Sequence, residues 1–80
     1  MRATVFVRPK QGILDPQGQA VHDSLRHLGF AVGEARVGRV VDLEFEAPDP
    51  AAARAEVEQM CEQLLTNPLI ESYEIEITAP

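Results

Sequence analysis

Apolar and polar positions alternate from the start of the chain. Ala3, Val5 and Val7 fall on one side of an extended backbone, Thr4, Phe6 and Arg8 on the other, the two-residue period of a strand with one packed face. Pro9 ends this strand, because proline has no N–H to give a ladder. The stretch Lys10 to Leu14 follows neither period and leads into Asp15-Pro16, a side-chain acceptor followed by proline at the first helical position, which starts a helix. Val21, Leu25 and Leu28 then recur at helical spacing and Gly29 supplies a left-handed closing residue, so a helix is predicted to run to about Leu28.

From Phe30 to Ala47 the pattern predicts two strands, with Gly33 and Gly38 as points where pairing bends, bulges or turns. The second is clearer: Val41, Leu43 and Phe45 alternate with Asp42, Glu44 and Glu46. Pro48-Asp49-Pro50 opens a second helix over Ala51 to about Thr66, with a stripe of Ala53, Val57, Met60, Cys61, Leu64 and Leu65, and Asn67-Pro68 stops it. Beyond Leu69 and Ile70 a last strand points Tyr73, Ile75 and Ile77 inward and Ser72, Glu74 and Glu76 outward. The order βαββαβ predicts an α+β fold of the ferredoxin-like, split β-α-β kind. Its four-stranded antiparallel sheet has two helices on one face and the first and third strands central. The uncovered face carries Thr4, Phe6 and Arg8 among the acidic side chains of the later strands, a contact surface suited to self-association.

Eighty residues make one domain, spanning 1–80, and 45% hydrophobic with 25% charged residues is globular composition. A core this small supplies only about 3 to 5 kcal/mol of net stability, which again favours association with further chains. The net charge of −6 argues against nucleic acid and anionic membranes as partners. It is unevenly spread: residues 1–40 hold six basic and three acidic side chains, residues 41–80 one basic and ten acidic. Such a split can orient a partner of complementary charge. A single cysteine, Cys61, leaves no internal disulfide and suits the reducing cytoplasm, and Met1 to Val7 is too short an apolar stretch for a secretory signal or a spanning helix.

Candidate catalytic groups are few. Cys61 lies on the apolar stripe of the second helix, where a cysteine acts as a small hydrophobe. His22 and His27 are five residues apart and project from different helix faces, and no Cys-x-x-Cys, His-Glu-x-x-His or calcium loop is present. Gly12 to Gly18 lacks the spacing of a nucleotide-binding P-loop. A small acyl-phosphate hydrolase would need an arginine at the end of the first loop, where this chain has Lys10, and the next arginine, Arg26 on the first helix, lies too far along. An RNA-binding sheet would stack bases on central aromatics, whereas Phe6 and Phe45 fall on opposite faces. Two specified loops remain, Pro9 to Gly18 and Leu64 to Glu71. Each also has a structural reading: Asp15 as a cap, Asn67-Pro68 as a helix terminator and Glu71 as a solvated side chain.

Taken together, Val7-Arg8-Pro9-Lys10, Ile13-Leu14-Asp15-Pro16-Gln17-Gly18, Leu28-Gly29-Phe30, Val37-Gly38-Arg39 and Leu64 through Tyr73 resemble the small subunit (PurS) of phosphoribosylformylglycinamidine synthase, over nearly the whole chain. The resemblance implies a non-catalytic member of a purine-biosynthesis ligase. A separate glutaminase subunit releases ammonia, and a large synthetase subunit uses ATP and Mg to turn formylglycinamide ribonucleotide into formylglycinamidine ribonucleotide. The small subunit, a dimer or tetramer without a cofactor of its own, bridges the two and assists ammonia transfer. On that reading Pro9, Lys10, Asp15, Pro16 and Gly18 shape a contact loop, with Lys10 supplying a charge. Arg36, Gly38 and Arg39 act from the turn region of the second strand, and Asn67, Pro68 and Glu71 form a third patch. The competing expectation is a free-standing ferredoxin-like regulatory module that binds a small ligand at a dimer interface.

Overall fold

The computed structural model describes residues 1–78, and the last two positions of the expected 1–80 domain lie outside the described residues. The first alternating segment forms β1 (Arg2–Pro9), which is the centre of the sheet. It pairs antiparallel with β2 (Arg39–Glu44) on one side and β3 (Glu71–Thr78) on the other. Register follows the apolar sets: Val5 lies opposite Val41 and Ile75, and Ala3 opposite Leu43 and Ile77, so one face of the sheet is apolar across all three strands. Because β2 and β3 both run antiparallel to β1, they are parallel to each other with β1 between them. The helix α2 (Pro50–Met60) carries the chain from one to the other. This is the split β-α-β arrangement the sequence predicts.

Asp49 starts α2 by accepting the Ala52 N–H at 2.8 Å, with Pro50 in the first turn. The buried residues Ala53, Val57 and Cys61 face Ala3, Val5 and Val7 of β1, and Met60, Leu65, Tyr73, Ile75 and Ile77 close around them. The predicted helix to Thr66 is α-helical only to Met60; Cys61–Leu65 is a π-helical turn. Both the N–H and the Oγ1 of Thr66 bond the Cys61 carbonyl, at 3.0 and 2.9 Å. The wider turn re-aims the stripe: Leu65 stays against the core, while Leu64, expected inside, is 83% exposed.

Two expectations about the sheet are corrected. Among the described residues it has three strands rather than four, and residues 30–38 form no strand. Their backbone donors are committed elsewhere: Phe30 N–H closes the preceding helix on the Leu25 carbonyl, and Val37 N–H goes to the Asp15 carboxylate. Without that strand β2 lies at an edge, and only β1 is central.

The first helix, α1 (Pro16–His27), has the predicted start and stop, with Gly29 at φ +98° just past its end. It does not, however, join α2 in a two-helix layer on the sheet. Gly18 is its one buried residue, Val21 is 41% exposed, and Leu28 just beyond is 71% exposed. The helix that packs on the sheet is α2, over β1 and β3, and Val41, Leu43 and Phe45 remain half-buried.

Candidate partner-binding site

The residues singled out in the two loops gather at one end of the sheet, where β1 finishes and β2 and β3 begin. Beyond Pro9, the Lys10 N–H bonds the Ile70 carbonyl at 2.9 Å and its Nζ donates to the Pro68 carbonyl at 2.7 Å. Asn67 organises the turn that Lys10 meets. Its carbonyl accepts the N–H groups of Ile70 and Glu71 at 3.1 and 2.8 Å, and its side-chain Oδ1 accepts the Leu69 N–H at 3.2 Å. Glu71 closes the turn by accepting the Asn67 N–H through Oε1 at 2.7 Å.

Arg39 ties this turn to β2. Its guanidinium holds both oxygens of Glu71, with Nη2 3.0 Å from Oε1, and Nη2 also donates to the Leu65 carbonyl. The two-pronged geometry is the strong form of a carboxylate–guanidinium contact. It holds the Glu71 carboxyl below its ordinary value, helped by the Asn67 N–H, and raises the Arg39 value in return. Gly38, one residue earlier, passes so close to the Val7 carbonyl that a Cβ there would collide with backbone. Glycine is required here by close approach.

A second group lies next to the first. Asp15 uses both carboxylate oxygens: Oδ1 accepts the Gly18 N–H at 3.0 Å and Oδ2 the Val37 N–H at 2.9 Å. The Val37 and then the Gly18 N–H hold its carboxyl below the usual range, with a smaller contribution from Arg36. Pro16 occupies the first turn of α1, and Gly18 sits with no room for a side chain between the Asp15 carboxylate and the Ala35 carbonyl. Arg36 is half-free, its nearest acid being Glu34 at 3.9 Å. A shallow hollow of about 190 Å³ lined by Lys10, Asp15 and Arg36 joins the two groups, and a cleft of about 470 Å³ lined by Phe6, Arg8, Arg36 and Arg39 opens alongside.

Thus Pro9, Lys10, Gly38, Arg39, Asn67, Pro68 and Glu71 come together as one clamp, and Asp15, Pro16, Gly18 and Arg36 as its neighbour. Lys10, expected as a charge offered outward, is also a staple across the two loops. Sequence reasoning missed the apolar side chains around this end. Leu14, Leu64 and Leu69 are 83%, 83% and 84% exposed, and only Leu69, next to Pro68 in a polar turn, carried a readable signal.

The remaining chemistry is muted. Burial, with Glu62 and Glu58 nearby, pushes the fully buried Cys61 thiol upward, away from the reactive thiolate. Tyr73 donates to Glu62 at 2.9 Å, which raises its hydroxyl to about 12. His22 lies 2.9 Å from the Asp23 carboxylate. Among the described residues no three His, Cys, Asp or Glu side chains are grouped to hold a metal ion, and no helix is long and apolar enough to cross a membrane.

Comparison with known proteins gives this arrangement a family. The family model described as PurS, phosphoribosylformylglycinamidine (FGAM) synthase, matches residues 2–79. The phosphoribosylformylglycinamidine synthase subunit PurS of Synechocystis sp. is 43% identical over 76 residues, covering 94% of this chain and 76% of that one. The crystal structure of Methanocaldococcus jannaschii PurS superposes with a TM-score of 0.83 at 38% identity, over 94% of this chain and 92% of that one. That protein is described as one of the subunits of formylglycinamide ribonucleotide amidotransferase in the purine biosynthetic pathway. A chain in the structure of PurLQS from Thermotoga maritima matches with a TM-score of 0.85 at 33% identity, over 94% and 93%. The family-model match over residues 2–79, with relatives alike in sequence and in shape along nearly the entire chain, places this protein in the PurS family, the small subunit of phosphoribosylformylglycinamidine synthase.

Proposed function

We propose that this chain is the non-catalytic small subunit of a cytoplasmic phosphoribosylformylglycinamidine synthase complex. It self-associates, docks a glutaminase subunit and a large synthetase subunit, and holds them so that ammonia passes from one to the other. The observation that carries the reading is its end-to-end likeness to a chain solved within PurLQS. ATP and Mg belong to the synthetase partner. The chain's own polar groups at the candidate site bind one another, as in Arg39–Glu71 and Lys10–Pro68, which fixes the shape of a surface. Holding two active sites in register and excluding water from the path between them accelerates transfer without any reacting group on the holder. Ammonia is neutral and protonates in water, so a shielded route preserves the nucleophile.

The docking surface in this proposal is the clamp and its neighbour, Pro9 to Gly18, Arg36 to Arg39 and Asn67 to Glu71. Mixing the chain with both partner subunits, glutamine and ATP, and following assembly by size-exclusion chromatography tests it. A ternary complex is expected with the wild-type chain, and a weakened one with Lys10→Ala. Full-strength assembly with Lys10→Ala removes Lys10 from the surface, and failure of the wild-type chain to join the complex rejects the function.

A further inference from the structure

The ladder between β1 and β2 ends at Val7 and Arg39, and there the sheet opens into the cleft of about 470 Å³. Its walls follow from the register. Val5 and Val41 belong to the apolar face, so their neighbours Phe6 and Val40, which stand opposite each other, fall on the face away from α2. Arg8 comes two residues further along β1, and Gly38 and Arg36 precede Val40 at the same spacing. Gly38 has no side chain to fill the space, and the hollow is left between Phe6, Arg8, Arg36 and Val40.

The two arginines here are held differently from the chain's committed cations. Lys10, Arg26, Arg39 and Arg54 each donate to a carbonyl of their own chain. Arg8 and Arg36 instead lie 3.8 Å from Glu74 and 3.9 Å from Glu34, beyond hydrogen-bond reach, and both carboxylates are exposed. Such pairs are weak. Arg8 also rests over the Phe6 ring, 5.9 Å from its centroid, at the outer range of that contact. Both guanidiniums are therefore free to turn to a stronger anion while Glu34 and Glu74 stay in water. The net charge of −6 does not prevent this, because salt at physiological strength largely screens exposed charges more than about 8 Å away.

We infer that this cleft binds a nucleoside 5′-monophosphate, with the phosphate between Arg8 and Arg36 and the base against Phe6 and Val40. The walls select that class. A phosphate monoester is close to a dianion at neutral pH and offers three terminal oxygens, enough acceptors for both guanidiniums, whereas one guanidinium already fills a carboxylate. The cleft has the size of a small-ligand site, more than a phosphate alone fills. Phe6 and the 57% exposed Val40 give a ring an apolar wall, and stacking on an aromatic side chain accepts any base. The site adjoins the proposed docking surface at Arg36 but is complete on this chain alone.

The test is an NMR titration of the full-length ¹⁵N-labelled chain, without partner subunits, at constant ionic strength. The probes are AMP, ribose 5-phosphate, inorganic phosphate and adenosine. AMP is expected to move the amides of Phe6, Arg8 and residues 36–40 saturably, with the two smaller phosphates binding more weakly and adenosine weakest. Arg8→Gln and Arg36→Gln should each weaken AMP binding about tenfold. Phe6→Ala should weaken it about fivefold and leave inorganic phosphate unchanged. AMP that leaves these amides unmoved, or binds the Arg8→Gln, Arg36→Gln double variant as tightly as the wild type, overturns the site. Inorganic phosphate binding as tightly as AMP overturns the nucleotide assignment. Because the partner subunits are absent, failure here leaves the proposed role in the complex standing, and the size-exclusion assay decides that role separately.

Discussion

At the scale of single residues, a few side chains decide how the loops sit. Asp15 caps α1 and, through Val37, fixes the segment that enters β2. Glu71 fixes the turn before β3. Folding lowers both carboxyl values from ordinary ones of 3.8 and 4.5, so both groups favour the folded chain while ionised. Their contribution is complete above the unfolded values and fades as pH falls through the lowered folded ones. Urea midpoints measured against pH should therefore hold steady, as far as these two groups act, above pH 4.5. They should decline below it, and a double variant Asp15→Asn, Glu71→Gln should show a shallower decline. At the same end of the sheet, Gly38→Ala forces a Cβ onto the Val7 carbonyl, and an urea titration should show a loss of about 1–3 kcal/mol. Arg39→Lys keeps the charge but loses the two-pronged grip on Glu71. Since Arg39 is half-exposed, the stability cost should be about 1 kcal/mol or less, and smaller at high salt.

At the scale of elements, the packed unit is α2 on β1 and β3, and what the sequence made legible there followed from strict periods. The two-residue alternation of Ala3, Val5, Val7 and of Tyr73, Ile75, Ile77 reports a face, and the burial follows it. The proline-after-aspartate signals at Asp15 and Asp49 marked both helix starts because each carboxylate does accept an N–H three residues on. The failures have physical causes too. A π-helical turn changes the angle per residue without changing residue types, so Leu64 reads as core and is not. The segment 30–38 has strand-like residues, but its donors are taken by the Leu25 carbonyl and by Asp15, and tertiary partners of that sort leave no local pattern. These assignments make opposite predictions for two neighbouring apolar positions. Val57→Ala, which empties space in the core, should cost roughly 1.5–3 kcal/mol. Leu64→Ser should change stability by less than about 0.5 kcal/mol, and thermal or urea unfolding of the two variants checks the contrast.

At the scale of the whole molecule, the chain is a thin sheet with one packed helix and one that reaches out, and most of its chemistry is turned inward on its own loops. Which residues would cluster was partly legible: the motif words around Lys10, Arg39 and Asn67 do converge on one end of the sheet. That they converge by binding each other was not, because the pairing of Arg39 with Glu71 spans 32 positions and depends on strand order. The central claim is that this chain contributes a shaped surface that couples two larger enzymes. The most direct measurement compares product formation by the two partner subunits with and without the chain, once with glutamine as nitrogen donor and once with ammonium salt. The account predicts that omitting the chain sharply reduces glutamine-driven turnover and leaves ammonium-driven turnover far less affected. Equal glutamine-driven rates with and without it would contradict the account.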